Sequence, residues 1–413
     1  MSQDSVATAA YQGVAAQAAN GRTIHKLFGW NVNSRKRWTP TNEQKERFAK
    51  LRLLIIDEVS TCDVSIIGKV EVSLRLLLDN PSKLFGGIHV LLVGDWLQQL
   101  PVAGQPAFIA ASEILHAHNG RDAGSADYLD RVRGINAYRS LNFVVILAEN
   151  VRHRNDEVWK RILDKWRVGR YDDADIAYVN KIAYNENWTS DRADKTSYCP
   201  IIVTSNAIRV EFNSSALQAF CRESGAVFHC FPAQVTRPHH HLSNIQRKLL
   251  TCIREDKTSG MPISLEIAVG SMVQCTKNVS NHFKLANGCI GTVVAITPAQ
   301  NDDIRVRVVD GVEEHQHSLP PEVVFIRLKD YSDRSFHPEF PFGVVPVCQR
   351  YERGISVKLP DRQFSVCIRQ VPLVLAYSLT TEKCQGLTLT EWFLLRFDIQ
   401  HDAHHNDHHF MLR

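Results

Sequence analysis

Leu53-Leu54-Ile55-Ile56-Asp57-Glu58 sets two carboxylates directly behind four apolar residues. A short apolar run of this kind reads as a buried strand of a parallel sheet, and ligands of open α/β sheets gather at the carboxyl ends of such strands. There an Asp suits a hard divalent cation carried by phosphates, and a Glu suits polarisation of an attacking water. The plain alternative is a strand that ends in a solvated acidic turn. A second apolar run, Ile88 to Val93, leads into Gly94-Asp95-Trp96-Leu97-Gln98-Gln99-Leu100-Pro101-Val102. Gly-Asp after a strand is by itself only a turn signal. Coupled to the Asp-Glu strand, it brings an amide, Gln98 with Gln99 as its twin, to where a terminal phosphate or a catalytic water would lie. Arg152, in Glu149-Asn150-Val151-Arg152-His153, offers a permanently charged planar fork suited to phosphate oxygens. Its alternative is a surface arginine opening a charged helix. Trp30, Arg35, Lys36, Arg37 and Trp38 mix rings with positive charge, the combination that holds single-stranded nucleic acid. A solvated loop with two half-buried tryptophans explains them equally well.

The elements that would position these groups follow from periodicity. Apolar residues at helical spacing from Val64 to Leu78 join the two apolar runs, so strand, helix and strand form a parallel α/β unit. Val158, Trp159, Ile162, Leu163 and Trp166 make one stripe of a further helix. The composition turns polar between residues 186 and 197, which marks a boundary, and Pro200 to Thr204 opens a second α/β unit. Thr292 to Ile296, Ile304 to Val309, Val323 to Leu328, Val344 to Cys348 and Ile355 to Leu359 are short β-rich runs broken by Gly, Pro and Asp. Helical texture returns from Thr380 to Leu389.

Composition narrows the class. The chain has 413 residues, is 44% hydrophobic and 22% charged, and carries a net charge of +4. This is globular stock, neither disordered nor collagen-like, and any basic groove must be local. No apolar run of about 18 residues reads as a membrane span, and the first residues do not read as a secretory signal. Ten cysteines stand singly with no CxxC pair, which fits reduced thiols inside a cell. The runs His239-His240-His241 and His401 to His409 read as solvated loop and frayed tail rather than metal sites.

Taken in order, these blocks resemble the Pif-type (petite integration frequency) DNA helicases of superfamily one, including the helicases of Helitron transposons. Asp57-Glu58 and GDWLQQLPV resemble the family's second and third motifs. Gly13-Val14-Ala15-Ala16 with Gly21-Arg22-Thr23-Ile24-His25 resembles its GIAA…GRTIH block, which touches single-stranded DNA. The VRH segment is similar to the one whose arginine reaches the γ-phosphate. Ile201-Ile202-Val203-Thr204 through Asn213, Gly270-Ser271-Met272-Val273 through Asn287-Gly288, and Leu373 through Thr388 are similar to the later blocks. The resemblance implies two RecA-like parallel-sheet units of the P-loop NTPase type, the second with a β-rich SH3-like insertion. Residues 1–185 would form the first unit with a small insertion near 29–50. Residues 186–291 and 371–400 would form the second, 292–370 the insertion and 401–413 a tail.

The same resemblance implies roles. Asp57, through its nucleotide's Mg2+, with Glu58, Gln98 and Arg152, would be catalytic, and Gln385 and Gly386 would bind nucleotide. Thr23, His25, Trp30, Arg35, Lys36, Arg37, Trp38, Thr204, Lys383 and Thr388 would meet DNA. ATP would be the substrate and single-stranded DNA and duplex junctions the partners, with no membrane; nothing sets an oligomeric state. The activity implied is five-prime to three-prime unwinding in repair, recombination, telomere maintenance or transposition, in the nucleus or mitochondrion of a eukaryote. The departures are two. No GxxGxGK followed by Ser or Thr occurs, the only Gly-Lys pair being Gly68-Lys69 inside the predicted helix, and the final VALSR arginine motif is missing. The sequence therefore reads as a helicase truncated at both ends, weakly active or inactive. The alternative is a non-catalytic single-strand-binding remnant.

Overall fold

A computed structural model describes residues 5–31, 38–102, 104–113, 125–149, 151–183, 200–237, 240–280, 283, 285–328, 336–358, 363–384 and 394–395. They fall into two compact units, one within residues 1–194 and one within 195–399. In the first, β1 (Val6–Ala10), β2 (Arg22–Thr23), β3 (Leu53–Asp57) and β4 (His89–Leu92) form a parallel sheet in the order β2-β1-β3-β4. The register sets Ala10 beside Asp57 and Ile56 beside Leu92. Leu54 and Ile56, on one face of β3, are fully buried, and Leu53 and Ile55 on the other face are half-buried. The strand β1 has no counterpart in the sequence reading, because three of the five residues in its Val-Ala-Thr-Ala-Ala are alanine, which is depleted in strands; pairing to β3 decides it.

Helix α1 (Gly13–Ala18) follows β1, and α2 (Ile24–Phe28) follows β2. Helix α3 (Asn42–Phe48) begins with a reciprocal capping box between Thr41 and Gln44. Gln44 and Arg47 donate to the carbonyls of Phe28 and Leu27, which ties α3 to α2. Helix α4 (Val64–Leu77) starts where Asp63 accepts from the Ser65 N–H at 2.7 Å, and it crosses α5 (Ala126–Arg139). A Cβ on Gly68 would lie 1.8 Å from the Asp130 carbonyl oxygen, and one on Gly134 would lie 1.9 Å from that of Val64. The Gly68-Lys69 pair is thus half of a glycine crossing and not a phosphate grip. In an open helix Gly→Ala would gain ~1 kcal/mol. Here overpacking dominates, so Gly68→Ala is expected to cost about 3 kcal/mol of stability, read as a lower thermal midpoint.

Helices α6 (Glu157–Arg167) and α7 (Asp173–Ala183) complete the first unit. Ile162 carries the α6 stripe into the interior, whereas Val158 is exposed. Phe143 to Leu147 is an extended apolar segment without a sheet partner among the described residues, each side chain 83–89% exposed.

The second unit keeps a parallel sheet in which β5 (Ile201–Val203) lies between the strands Ser378–Thr380 and Leu394–Leu395. Helix α8 (Asn206–Ser224) follows β5, and a short helix, Thr381–Cys384, follows the strand Ser378–Thr380. Among the described residues, twelve strands from Phe228 to Leu375 lie between β5 and the strand Ser378–Thr380 and build three further sheets. A five-stranded antiparallel sheet contains Met272–Cys275, Ile290–Thr297, Val323–Leu328, Val344–Cys348 and Leu373–Leu375. The β-rich part therefore begins well before residue 292. Its early strands, Phe228–Pro232 and Gln234–Thr236 among them, carry His, Pro and Gln that blur the alternation.

Candidate functional site

The Asp57-Glu58 pair stands at the carboxyl end of β3, in the interior of the first sheet. Both side chains are half-buried. Asp57 Oδ1 accepts the Glu58 N–H at 2.9 Å. Glu58 itself is left-handed, at φ 49° and ψ 45°, a conformation that costs a non-glycine residue free energy and recurs at functional sites. The Glu58 carbonyl accepts from both the Thr61 N–H at 3.1 Å and the Thr61 hydroxyl at 2.8 Å, which fixes the turn.

The turn after β4 lies against this one. The Val59 N–H donates to the Val93 carbonyl at 2.9 Å, and a Cβ on Gly94 would sit 2.9 Å from the Val59 nitrogen. Glycine is thus required for the close approach that couples the two motifs. Beyond it Asp95 takes a two-pronged ion pair from Arg167 of α6, and it also accepts from the Leu97 N–H at 3.0 Å and the Gln98 amide at 3.1 Å. Burial pushes the Asp95 carboxyl up, but the Arg167 and Leu97 hydrogen bonds outweigh it and hold the group below the ordinary carboxylate range. Its contribution to stability is therefore present above the unfolded value near ~3.9 and is lost as pH falls through the lower folded value. Arg167 is 45% exposed, so Asp95→Asn is expected to cost only about 0.5–1 kcal/mol at pH 7. Denaturation curves should show the variant and the parent converging as pH drops toward 3.

Arg167 is the arginine that the sequence reading missed; it lies 72 positions from its partner. Arg152 is exposed and has no hydrogen-bond or ion-pair partner among the described residues. It is not brought to the Asp57-Glu58 carboxylates here, and Gln98 is tied to Asp95. Asp57 supplies a hard oxygen donor of the kind that a magnesium ion takes, and Glu58 stands beside it at the same strand end.

The residues assigned to DNA divide. Thr23 caps α2, accepting from the Lys26 N–H at 3.4 Å. His25 is half-buried between the rings of Tyr11 and Trp30, and burial, then Lys69, lowers its pKa. Trp30 is half-buried against the first core, where its ring stacks on Phe28 at 5.0 Å and its indole N–H donates to Ser73 at 3.2 Å. Trp38 likewise packs against the first core. In the second unit Thr204 is exposed just past β5, beside the strand end at Thr380. Lys383 donates to Asn287 at 3.2 Å, joining the NG block to the last block. Arg35, Lys36, Arg37, Gln385, Gly386 and Thr388 lie outside the described residues.

Two parallel α/β sheets, the first ending in the Asp-Glu turn and the second split by a β-rich insertion, define a chain with two RecA-like units. Residues 1–117 match the family model described as PIF1-like helicase. The chain is 25% identical over 425 residues to an uncharacterised protein, 030L, of Invertebrate iridescent virus 6, covering 93% of this chain and 76% of that one. It is 23% identical over 410 residues to the ATP-dependent DNA helicase PIF1 of Emericella nidulans, covering 94% of this chain and 50% of the helicase. A crystal structure of the Bacteroides Pif1 helicase with ADP-AlF3 and single-stranded DNA superposes with a TM-score of 0.61 at 18% identity, covering 96% and 77% of the two chains. The chain is similar to the PIF1-like helicases, most directly over residues 1–117, and it spans about half the length of the named fungal relative. No helix among the described residues is long and apolar enough to cross a membrane.

Proposed function

We propose that the protein is of the Pif1 type of ATP-driven DNA helicases, which would move five-prime to three-prime on a single strand, and that these 413 residues, which hold no glycine-rich phosphate loop, are by themselves a weakly active or inactive form. Its setting is repair, recombination, telomere maintenance or transposition, in the nucleus or mitochondrion of a eukaryotic cell. The observation that carries this reading is the left-handed Glu58 beside Asp57, at the end of an interior parallel strand and locked against the Gly94 turn. Bound magnesium would neutralise charge on the nucleotide phosphates. Asp57 would hold that cation's ligand sphere, and Glu58 would orient the attacking water and take up its proton. Thr23, Thr204 and Lys383 would hold DNA backbone, and Arg152 would complete the phosphate site when nucleotide is present.

A second reading, single-strand binding without a motor, is favoured by a specific observation: no glycine-rich phosphate loop occurs in these 413 residues. Both readings require DNA binding. Fluorescence anisotropy with a labelled thymidine oligonucleotide should show saturable binding that weakens with salt. Lys383→Ala should reduce the salt slope by about 0.7, the release expected for one phosphate contact on a single strand. Absence of saturable binding at low salt would remove both readings.

A further inference from the structure

We propose that His229, His315 and His317 form a binding site for one divalent transition-metal ion of the zinc class, in the β-rich part of the second unit. His229 lies on the strand Phe228–Pro232, and His315 and His317 lie on Val312–His317. Alternation along a strand puts His315 and His317 on one face. The two strands pair in parallel with His315 directly beside His229, so three imidazoles meet there. A ligand nitrogen from each lies within 4.8 Å of the others, and His229 Nδ1 and His317 Nε2 are already 2.9 Å apart. An ion held at about 2.0–2.1 Å from each nitrogen asks the third ring to close by roughly an ångström. His315, partly exposed, can do so by rotating.

The surroundings are those of a ligand set. The His317 side chain is fully enclosed, and its Nδ1 is bonded to the Asp302 carboxylate. That carboxylate is itself fixed by the N–H groups of Ser318 at 2.8 Å and Leu319 at 3.0 Å. A proton held at Nδ1 leaves the lone pair on Nε2, facing His229. His315 is bonded to Glu313 through the other nitrogen, Nε2, at 2.6 Å, which leaves its Nδ1 as the ligand atom. Carboxylates that orient metal-bound imidazoles are the usual outer support of such sites. Three imidazoles select a borderline ion over magnesium or calcium, so this site is chemically separate from the nucleotide's cation at Asp57. A water would fill the fourth position. The ion would pin the hairpin of Ile304–Val309 and Val312–His317 to the strand Phe228–Pro232.

The rival is a hydrogen-bonded chain from Asp302 through His317 to His229 that needs no ion. Titrating the chelator-treated full chain with Co2+ separates the two, through the visible absorption of a four-coordinate ion and its displacement by Zn2+. The runs at His239–His241 and His401–His409 also offer imidazoles, so the readout is a difference between variants. The double variant His229→Gln with His315→Gln is expected to lose one tight equivalent, the visible band and the rise in thermal midpoint with Zn2+, while keeping weak uptake. Asp302→Asn, which leaves all three ligands, is expected to weaken affinity by about 10–100-fold, and it serves as the test if the double variant does not fold. No tight equivalent in the parent would overturn the proposal. So would uptake and band unchanged in both variants.

Discussion

Glu58→Gln is expected to lower DNA-stimulated ATP hydrolysis by ~10²–10⁴-fold, the range for loss of a positioned general base, in a form of the protein that carries a glycine-rich phosphate loop ahead of Ser5. Glu58 is held left-handed by a turn whose carbonyl is bonded twice to Thr61, and the Gly94 turn buttresses it. Gln keeps the size and the hydrogen bonds but cannot accept the water's proton, so DNA affinity should stay unchanged while turnover falls. The 413-residue chain without such a loop is expected to hydrolyse ATP at or near background, because the backbone amides and lysine that grip the phosphates are not among its residues. Phosphate release with saturating single-stranded DNA reads both results. Turnover near one per second by the chain alone would show that the loop is dispensable.

Asn213→Ala is expected to cost about 3–5 kcal/mol of stability in the second unit, the sum of a few stranded polar groups at ~1–3 kcal/mol each. Asn213 is 3% exposed on α8. Its amide donates to the carbonyls of Leu375 and Ser378, each at 3.1 Å, and its oxygen accepts the Ser378 N–H at 2.7 Å. It thus closes the point where the chain returns from the β-rich insertion to the parallel sheet, 162 and 165 positions away in sequence. Urea denaturation should show a lower midpoint at unchanged slope. A loss below about 1 kcal/mol would mean that water replaces these bonds.

Much of this architecture is legible locally. The run Leu53 to Glu58 needs no partner to be read, since four apolar residues and two acids declare a strand end. The helix Val64–Leu77 follows from its 3.6-residue repeat. What escaped is non-local. The strand Val6–Ala10 exists because β3 pairs with it. Trp30 stands beside a basic run in sequence, while its ring stacks on Phe28 and its N–H donates to Ser73. Arg167 meets Asp95 across 72 positions, and His229 meets His317 across 88. Arg167 sits in an ordinary charged helix that no spacing marks, and the spacing of His315 and His317 puts two imidazoles on one strand face without pointing to the third, His229. Gln98, singled out as a sensor of phosphate, is bonded to Asp95, whose negative charge had no assigned role.

The central claim is that the Asp57-Glu58 turn drives a DNA motor. Strand separation of a duplex with a five-prime single-stranded tail, by the chain preceded by a glycine-rich phosphate loop, tests it most directly. ATP-dependent release of the paired strand is expected, lost with Glu58→Gln and with Asp57→Asn while DNA binding persists. Release that needs no ATP, or that survives both substitutions, would contradict it.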